Sequence, residues 1–220
     1  MEKKAVAAEA ALVPLSGKRE RTKASNRQAI LDAARQVFAE LGYGAASVRD
    51  IIRGTKLASG TFYNYFSSKE EVFRALLDDT ALQVRPRLRE ARLDAANFEA
   101  FIRGTFETFY DYLVSDRATY AMLRRNTGTL RVRMDTPEIV AGFDELKRDI
   151  KDGMARGLIP NVDPDYLTSA FVGVAFEVGD RMLHRDPPDP KGAAAFASAL
   201  MLGGISALPR LEGVPAKREP

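Results

Sequence analysis

The stretch Ser47-Val48-Arg49-Asp50-Ile51-Ile52-Arg53-Gly54-Thr55-Lys56-Leu57-Ala58-Ser59-Gly60-Thr61-Phe62-Tyr63-Asn64-Tyr65-Phe66-Ser67-Ser68-Lys69 decides the reading of this 220-residue chain. Gly42-Tyr43-Gly44 stops a helix upstream, and Ser47 with Asp50 three residues on is an acidic variant of the capping box, so a helix begins at Val48. Val48, Ile51 and Ile52 supply one apolar face, while Arg49, Asp50 and Arg53 face away. The helix has barely two turns before Gly54. A second short helix, about Ser59 to Tyr65, places Phe62 and Phe66 at i and i+4 for burial and turns Thr61, Tyr63, Asn64 and Tyr65 toward other faces. Two short helices around a turn, the second presenting hydroxyl and amide groups, suit the major groove of DNA. Such groups meet base edges there, and a tyrosine also reaches a phosphate. Lys69, one turn beyond, is expected beside the phosphate backbone.

Charge follows the motif. Residues 1 to 66 carry eleven Lys and Arg against six Asp and Glu, whereas residues 67 to 220 carry twenty-two against twenty-four. The overall formal charge of +3 is too mild to make that case alone.

From Asn26 to Phe73 the sequence resembles the DNA-binding domain of the TetR family of bacterial transcriptional regulators. The resemblance rests on Ile30-Leu31-Asp32-Ala33-Ala34, Phe38-Ala39-Glu40-Leu41-Gly42-Tyr43, Ser47-Val48-Arg49-Asp50-Ile51 and Gly60-Thr61-Phe62-Tyr63-Asn64-Tyr65-Phe66, in order and spacing. It implies that Ser47, Arg49, Ser59, Gly60, Thr61, Tyr63, Asn64, Tyr65 and Lys69 contact operator DNA, with Tyr63 and its neighbours at base edges and Ser47, Tyr65 and Lys69 on phosphates. Two positions depart from the family pattern: Lys56 stands where glycine is usual in the turn, and Ala58 where serine caps the reading helix. Lysine in a left-handed conformation costs roughly 1 kcal/mol against glycine and the absent cap about as much again, so the reading helix is expected to start at Ser59.

Residues 1-24 are expected to form a disordered basic arm, with Lys18, Arg19, Arg21 and Lys23 close to the first helix. A capping box of Ser25 and Gln28 starts that helix at about Asn26. The arm either touches the minor groove and phosphates or is a solvated tail. Lys3, Lys4 and Glu9 interrupt any secretory pattern.

Composition narrows the function classes. A chain that is 45% hydrophobic and 9% aromatic supports a sizeable core. No cysteine and one histidine make thiolate, zinc and iron centres improbable, and no phosphate-binding glycine loop or nucleophile-base constellation is found, so neither an enzyme nor a cofactor is expected. The uncharged stretch 192 to 208 contains Gly203, Gly204 and Ser206, weak material for a membrane span, and a cytoplasmic, nucleoid-associated protein is expected.

The expected fold is all-α: a helix-turn-helix domain at residues 25-68, a helical ligand-binding and dimerisation domain at 69-212, and a disordered tail at 213-220. Ser67-Ser68-Lys69-Glu70 starts a helix running toward Ala91 with Pro86 kinking it. Asn97 to Ser115 carries Phe98, Phe101, Ile102, Phe106, Phe109 and Leu113 on one side. Helices follow around Ala118 to Asn126, from Pro137 to Gly157, from Asp163-Pro164 to about Arg185, and from Asp189-Pro190 onward. The last two are rich in small residues, among them Gly173, Gly179, Ala195, Ala199 and Gly203, and an apolar helix with so little polar cover needs a partner. The resemblance implies a four-helix interface between two copies, giving a homodimer with two reading heads for a palindrome whose half-sites lie one or more turns of ~10 bp apart.

The resemblance also implies a cavity in the second domain. Its candidate lining is Phe101, Thr105, Phe109, Tyr112, Met122, Phe171, Phe176 and Glu177. Glu177 is either a polar handle for a ligand or half of a pair with Arg181, and the rest favours a mostly apolar effector. A ligand-responsive repressor, released when the effector shifts the helix starting at Lys69, is the expected function. A transcriptional activator of the same fold and a helical protein-interaction module using Tyr63 to Tyr65 are the alternatives.

Overall fold

In the computed structural model, residues 15–132 and 135–205 are described. Among them every regular element is a helix: α1 (Leu15–Glu40), α2 (Gly42–Ala45), α3 (Val48–Gly54), α4 (Ser59–Tyr63), α5 (Lys69–Leu93), α6 (Phe98–Ser115), α7 (Arg117–Arg125), α8 (Thr127–Val132), α9 (Pro137–Ala155), α10 (Pro164–Leu183) and α11 (Pro190–Ile205). The all-α expectation is met.

Side-chain caps set several helix starts. Ser47 accepts from the Asp50 amide while Asp50 accepts from the Ser47 amide, the capping box read from the sequence. Ser68, Asn97, Asp116 and Asp163 likewise cap α5, α6, α7 and α10 through their side chains. Gly42 ends α1 at φ +77°, a left-handed conformation that glycine takes without a Cβ penalty.

The first helix departs from expectation. It starts at Leu15 instead of Asn26, so residues 15 to 24, expected within a disordered arm, are helical, while residues 1 to 14 lie outside the described part. Lys18 to Ala24 contains no glycine or proline and is rich in good helix formers. Ser25 and Gln28 therefore fall inside the helix, and Gln28 Nε2 donates to Asp32 Oδ1 at 2.9 Å, one turn on, so no capping box forms there. The expected tail and the final residues of the second domain also lie outside the described part.

Lys56 is not strained, because no described non-glycine residue has a positive φ. The turn is held by Thr55, whose hydroxyl donates to the Ile52 carbonyl at 2.8 Å and accepts from the Leu57 amide at 3.2 Å. Ala58 flanks α4 with no side-chain cap, as its methyl group dictates.

Ile30, Leu31, Ala34, Phe38, Ile51, Phe62 and Phe66 form a buried core beneath the helix-turn-helix together with Val72 and Phe73 of α5. In the second domain, α6 packs against α5, α7, α10 and α11, while α9 closes on α5 and α10. Pro86 lies within α5 without ending it.

Candidate DNA interface and effector cavity

The reading helix is mounted on two aromatics. Phe62 and Phe66 are 1% and 3% exposed, with ring centroids 6.2 Å apart, and their burial leaves Tyr63 61% exposed. Arg49, Ser59, Gly60 and Asn64 are also exposed, Thr61 half-buried. Only the first turn and a half, to Tyr63, is regular helix, and the chain continues as a turn to Phe66. Tyr65 is half-buried and its hydroxyl accepts from Asn26 Nδ2 at 3.3 Å, which ties the reading element to α1. The Ser47 hydroxyl donates to Asp50 Oδ2 at 2.6 Å, so its first task is holding the start of α3. That hydrogen bond, ahead of the one from the Ser47 amide, holds the Asp50 carboxyl below its ordinary range.

Lys69, expected beside a phosphate, is bonded within the chain. Its Nζ donates to the carbonyls of Tyr43 at 2.7 Å, Ala46 at 2.8 Å and Gly44 at 3.3 Å, and lies 4.7 Å from the centre of the Tyr43 ring. An ammonium has three donors, and all are directed to the α2 segment. Lys69 thus joins the first turn of α5 to the end of the DNA head. Charge-assisted bonds at a half-buried site contribute about 2 kcal/mol together, so Lys69→Met is expected to lower Tm by roughly 4–8 °C. Thermal denaturation by circular dichroism measures that. The salt dependence of DNA binding should keep its slope, whereas loss of a phosphate contact would reduce it by about one per head.

A second tie comes from α7. Asn126, 4% exposed, donates through Nδ2 to the carbonyls of Phe38 at 2.8 Å and Met122 at 2.7 Å, and accepts from the Tyr43 amide at 2.6 Å. One buried amide therefore links the C-terminus of α7 to both sides of the α1–α2 corner.

Behind these ties lies a cavity of about 160 Å³ between α5, α6, α9 and α10, with walls that include Leu77, Val84, Phe109, Phe143, Leu146 and Phe171. Thr105 and Phe176 line it as well, so four of the candidate residues meet there. A second lobe of about 250 Å³ shares Phe109, Leu113, Leu123, Ala175 and Phe176 and includes Glu177, which stands at the exposed side. Phe101, Tyr112 and Met122 line neither space. Phe101 packs edge-on against Phe171 at 6.2 Å, the Tyr112 hydroxyl donates to the Thr80 carbonyl at 3.2 Å, and Met122 is fully buried. The Thr105 hydroxyl donates to its own helix at Phe101 O.

The lining residues that α5 and α9 contribute were not among the candidates, because their apolar residues at helical spacing read as core. At the α5–α9 side, the Arg85 guanidinium is ion-paired with both Glu138 and Glu145, and Arg92 is paired with Asp149 at 2.6 Å. The hydrogen bond from Arg85 holds the Glu145 carboxyl below its ordinary range.

An exposed short helix carried on buried aromatics, next to a capped partner helix in a basic head, defines a helix-turn-helix DNA-binding protein. Residues 30–76 match the family model of the bacterial regulatory proteins of the tetR family. A helix-turn-helix transcriptional regulator of Haemophilus influenzae is 29% identical over 119 residues, which span 52% of this chain and 57% of that protein. Among solved structures, the fatty acid degradation regulator FadR from Bacillus halodurans is similar with a TM-score of 0.70 at 24% identity, over 82% of this chain and 96% of its own. FadR from Bacillus subtilis in complex with stearoyl-CoA has a TM-score of 0.67 at 22% identity, over 82% and 98%. At these identities the two structures share the fold.

Proposed function

We propose that the protein is a ligand-responsive transcriptional repressor of the cytoplasm, which binds a palindromic operator as a homodimer and leaves it when a mostly apolar effector occupies the cavity. The observation that carries this reading is the pairing of an outward reading helix with an apolar cavity one rigid helix, α5, away. Arg49, Ser59, Gly60, Thr61, Tyr63 and Asn64 supply the DNA-facing groups. The apolar walls suit a hydrocarbon body, a chemistry also present in the stearoyl-CoA bound by the Bacillus subtilis FadR. An effector that prefers the released state ~100-fold, about 3 kcal/mol, is enough for a strong response. Selection of bound fragments from the source genome, followed by sequencing, tests the reading: a palindromic motif supports it, and no enrichment overturns it.

The dimer surface is offered by the outer faces of α10 and α11. Ala193, Ala194, Ala197, Ser198 and Met201 turn inward, where α11 packs on α6, while Tyr166, Phe196 and Leu200 are 79%, 60% and 52% exposed. Apolar side chains spaced this way on neighbouring helices are ready for a two-fold contact. Leu200→Glu is expected to convert a dimer at micromolar concentration into a monomer in analytical ultracentrifugation. Operator affinity should fall ~100-fold or more as the two heads lose their joint attachment.

A further inference from the structure

Charged side chains stand where the apolar cavity meets an outer groove. Arg85 lines both the inner cavity and a groove of about 550 Å³ on the outer side of α5 and α9, as do Glu138 and Glu145. The three side chains thus stand at the boundary between the two spaces, 21%, 33% and 21% exposed. Glu138 and Glu145 are two turns apart on one face of α9, and the guanidinium lies between them, with Nε 3.3 Å from Glu145 Oε2. Gly142 lies between the two glutamates, against the arginine stem: a Cβ there would lie 3.4 Å from Arg85 Cγ and Cδ.

The outer groove carries two guanidiniums, Arg85 and Arg89, against four carboxylates, Glu90, Asp94, Glu138 and Glu145. This groove is therefore acidic on balance. A negatively charged head would have to draw Arg85 away from two carboxylates, leave them facing each other, and add a third negative charge. A positive head enters a field that already attracts it, and Arg85 marks a place where a planar cation is held by two carboxylates at once.

We propose that the effector is a cationic amphiphile whose hydrocarbon body fills the apolar lobes and whose ammonium or amidinium head takes the seat between Glu138 and Glu145, in place of or beside the Arg85 guanidinium. The proposal rests on the reading of the cavity as an effector site and sets the charge that such an effector carries. It separates this chain from the structural relative that holds a polyanionic thioester.

The test is isothermal titration calorimetry of the full chain with dodecylamine and sodium dodecanoate at neutral pH, both kept below their micellar concentrations. The amine is expected to bind at least tenfold more tightly than the carboxylate. Glu138→Gln/Glu145→Gln should bring the two within threefold of each other, and Arg85→Met, which vacates the seat while keeping the stem, should tighten the amine further. Glu138→Gln alone, a half-buried change, serves if the double variant does not fold, and should narrow the ratio at least threefold. Dodecanoate binding as tightly as the amine overturns the proposal, as does an amine preference that survives the glutamine changes, or no binding of either. The genomic selection is independent: a protein that enriches a palindrome yet prefers dodecanoate loses this proposal and keeps the repressor reading, and one that prefers the amine but enriches no DNA does the reverse.

Discussion

Asn126→Leu is expected to lower Tm by roughly 6–12 °C and to loosen the DNA head before the rest of the chain unfolds. Leucine is close to asparagine in size, so the change removes hydrogen bonding more than volume. The Tyr43 amide and the Phe38 carbonyl, both bonded to this one side chain, lose their partner at a site that is 4% exposed. Each buried group left unsatisfied costs about 1–3 kcal/mol, and a total near 3 kcal/mol in a chain of this size gives the stated shift. Hydrogen exchange locates the effect: the amides of 41 to 46 should exchange at least tenfold faster, with those of α6 unchanged. Asn126→Asp should lose as much, because it keeps an acceptor for Tyr43 but turns a second oxygen toward the carbonyls of Phe38 and Met122. A melting temperature within 1–2 °C of the parent in both variants would show that the corner is held elsewhere.

Tyr63→Ala is expected to abolish specific operator binding while leaving the fold intact. The side chain is 61% exposed, and its only ring contact within the chain is edge-on with Phe62 at 5.3 Å among the described residues, so Tm should move by less than about 2 °C. A base or phosphate contact is worth about 1–3 kcal/mol, and a two-fold dimer loses it twice, giving a fall in affinity of roughly 10²- to 10⁴-fold. Fluorescence anisotropy on the selected operator measures it. Phe62→Ala is the opposite control: it removes a ring that is 1% exposed, costs about 3–5 kcal/mol, and should lose DNA binding together with the head's stability. Wild-type affinity in Tyr63→Ala would place DNA recognition on another surface.

Local signals were the legible ones. Ser47 with Asp50, Asn97, and Asp163 before Pro164 each mark a helix start within a residue, because a cap is a contact among neighbours in the chain. The same rule misled at Ser25, where the helix-forming residues upstream outweigh a possible cap. The one-turn α2 and the short α8 carry no periodicity long enough to read. Contacts between distant segments were not legible either: that Lys69 meets three carbonyls around Tyr43, or that Asn126 reaches Phe38, depends on how α5 and α7 pack on the head. The cavity is half-legible for a related reason. Phe109, Phe171 and Phe176 have the spacing of an apolar face, but spacing does not tell a filled core from a void. The α5 and α9 walls, and the Arg85 cluster at their boundary, emerge only when the two helices are brought together.

The early start of α1 changes the reach of its basic residues. Ten residues of extended chain span up to about 33 Å and sweep a wide volume, whereas as helix they span about 15 Å along one line. Arg19, Arg21 and Lys23, all exposed, are therefore carried on a boom whose base is fixed in the head at Ile30 and Leu31. Their distance from the reading helix is set in advance by the helix itself. A glycine or proline near Ala24 would turn that boom back into a rope.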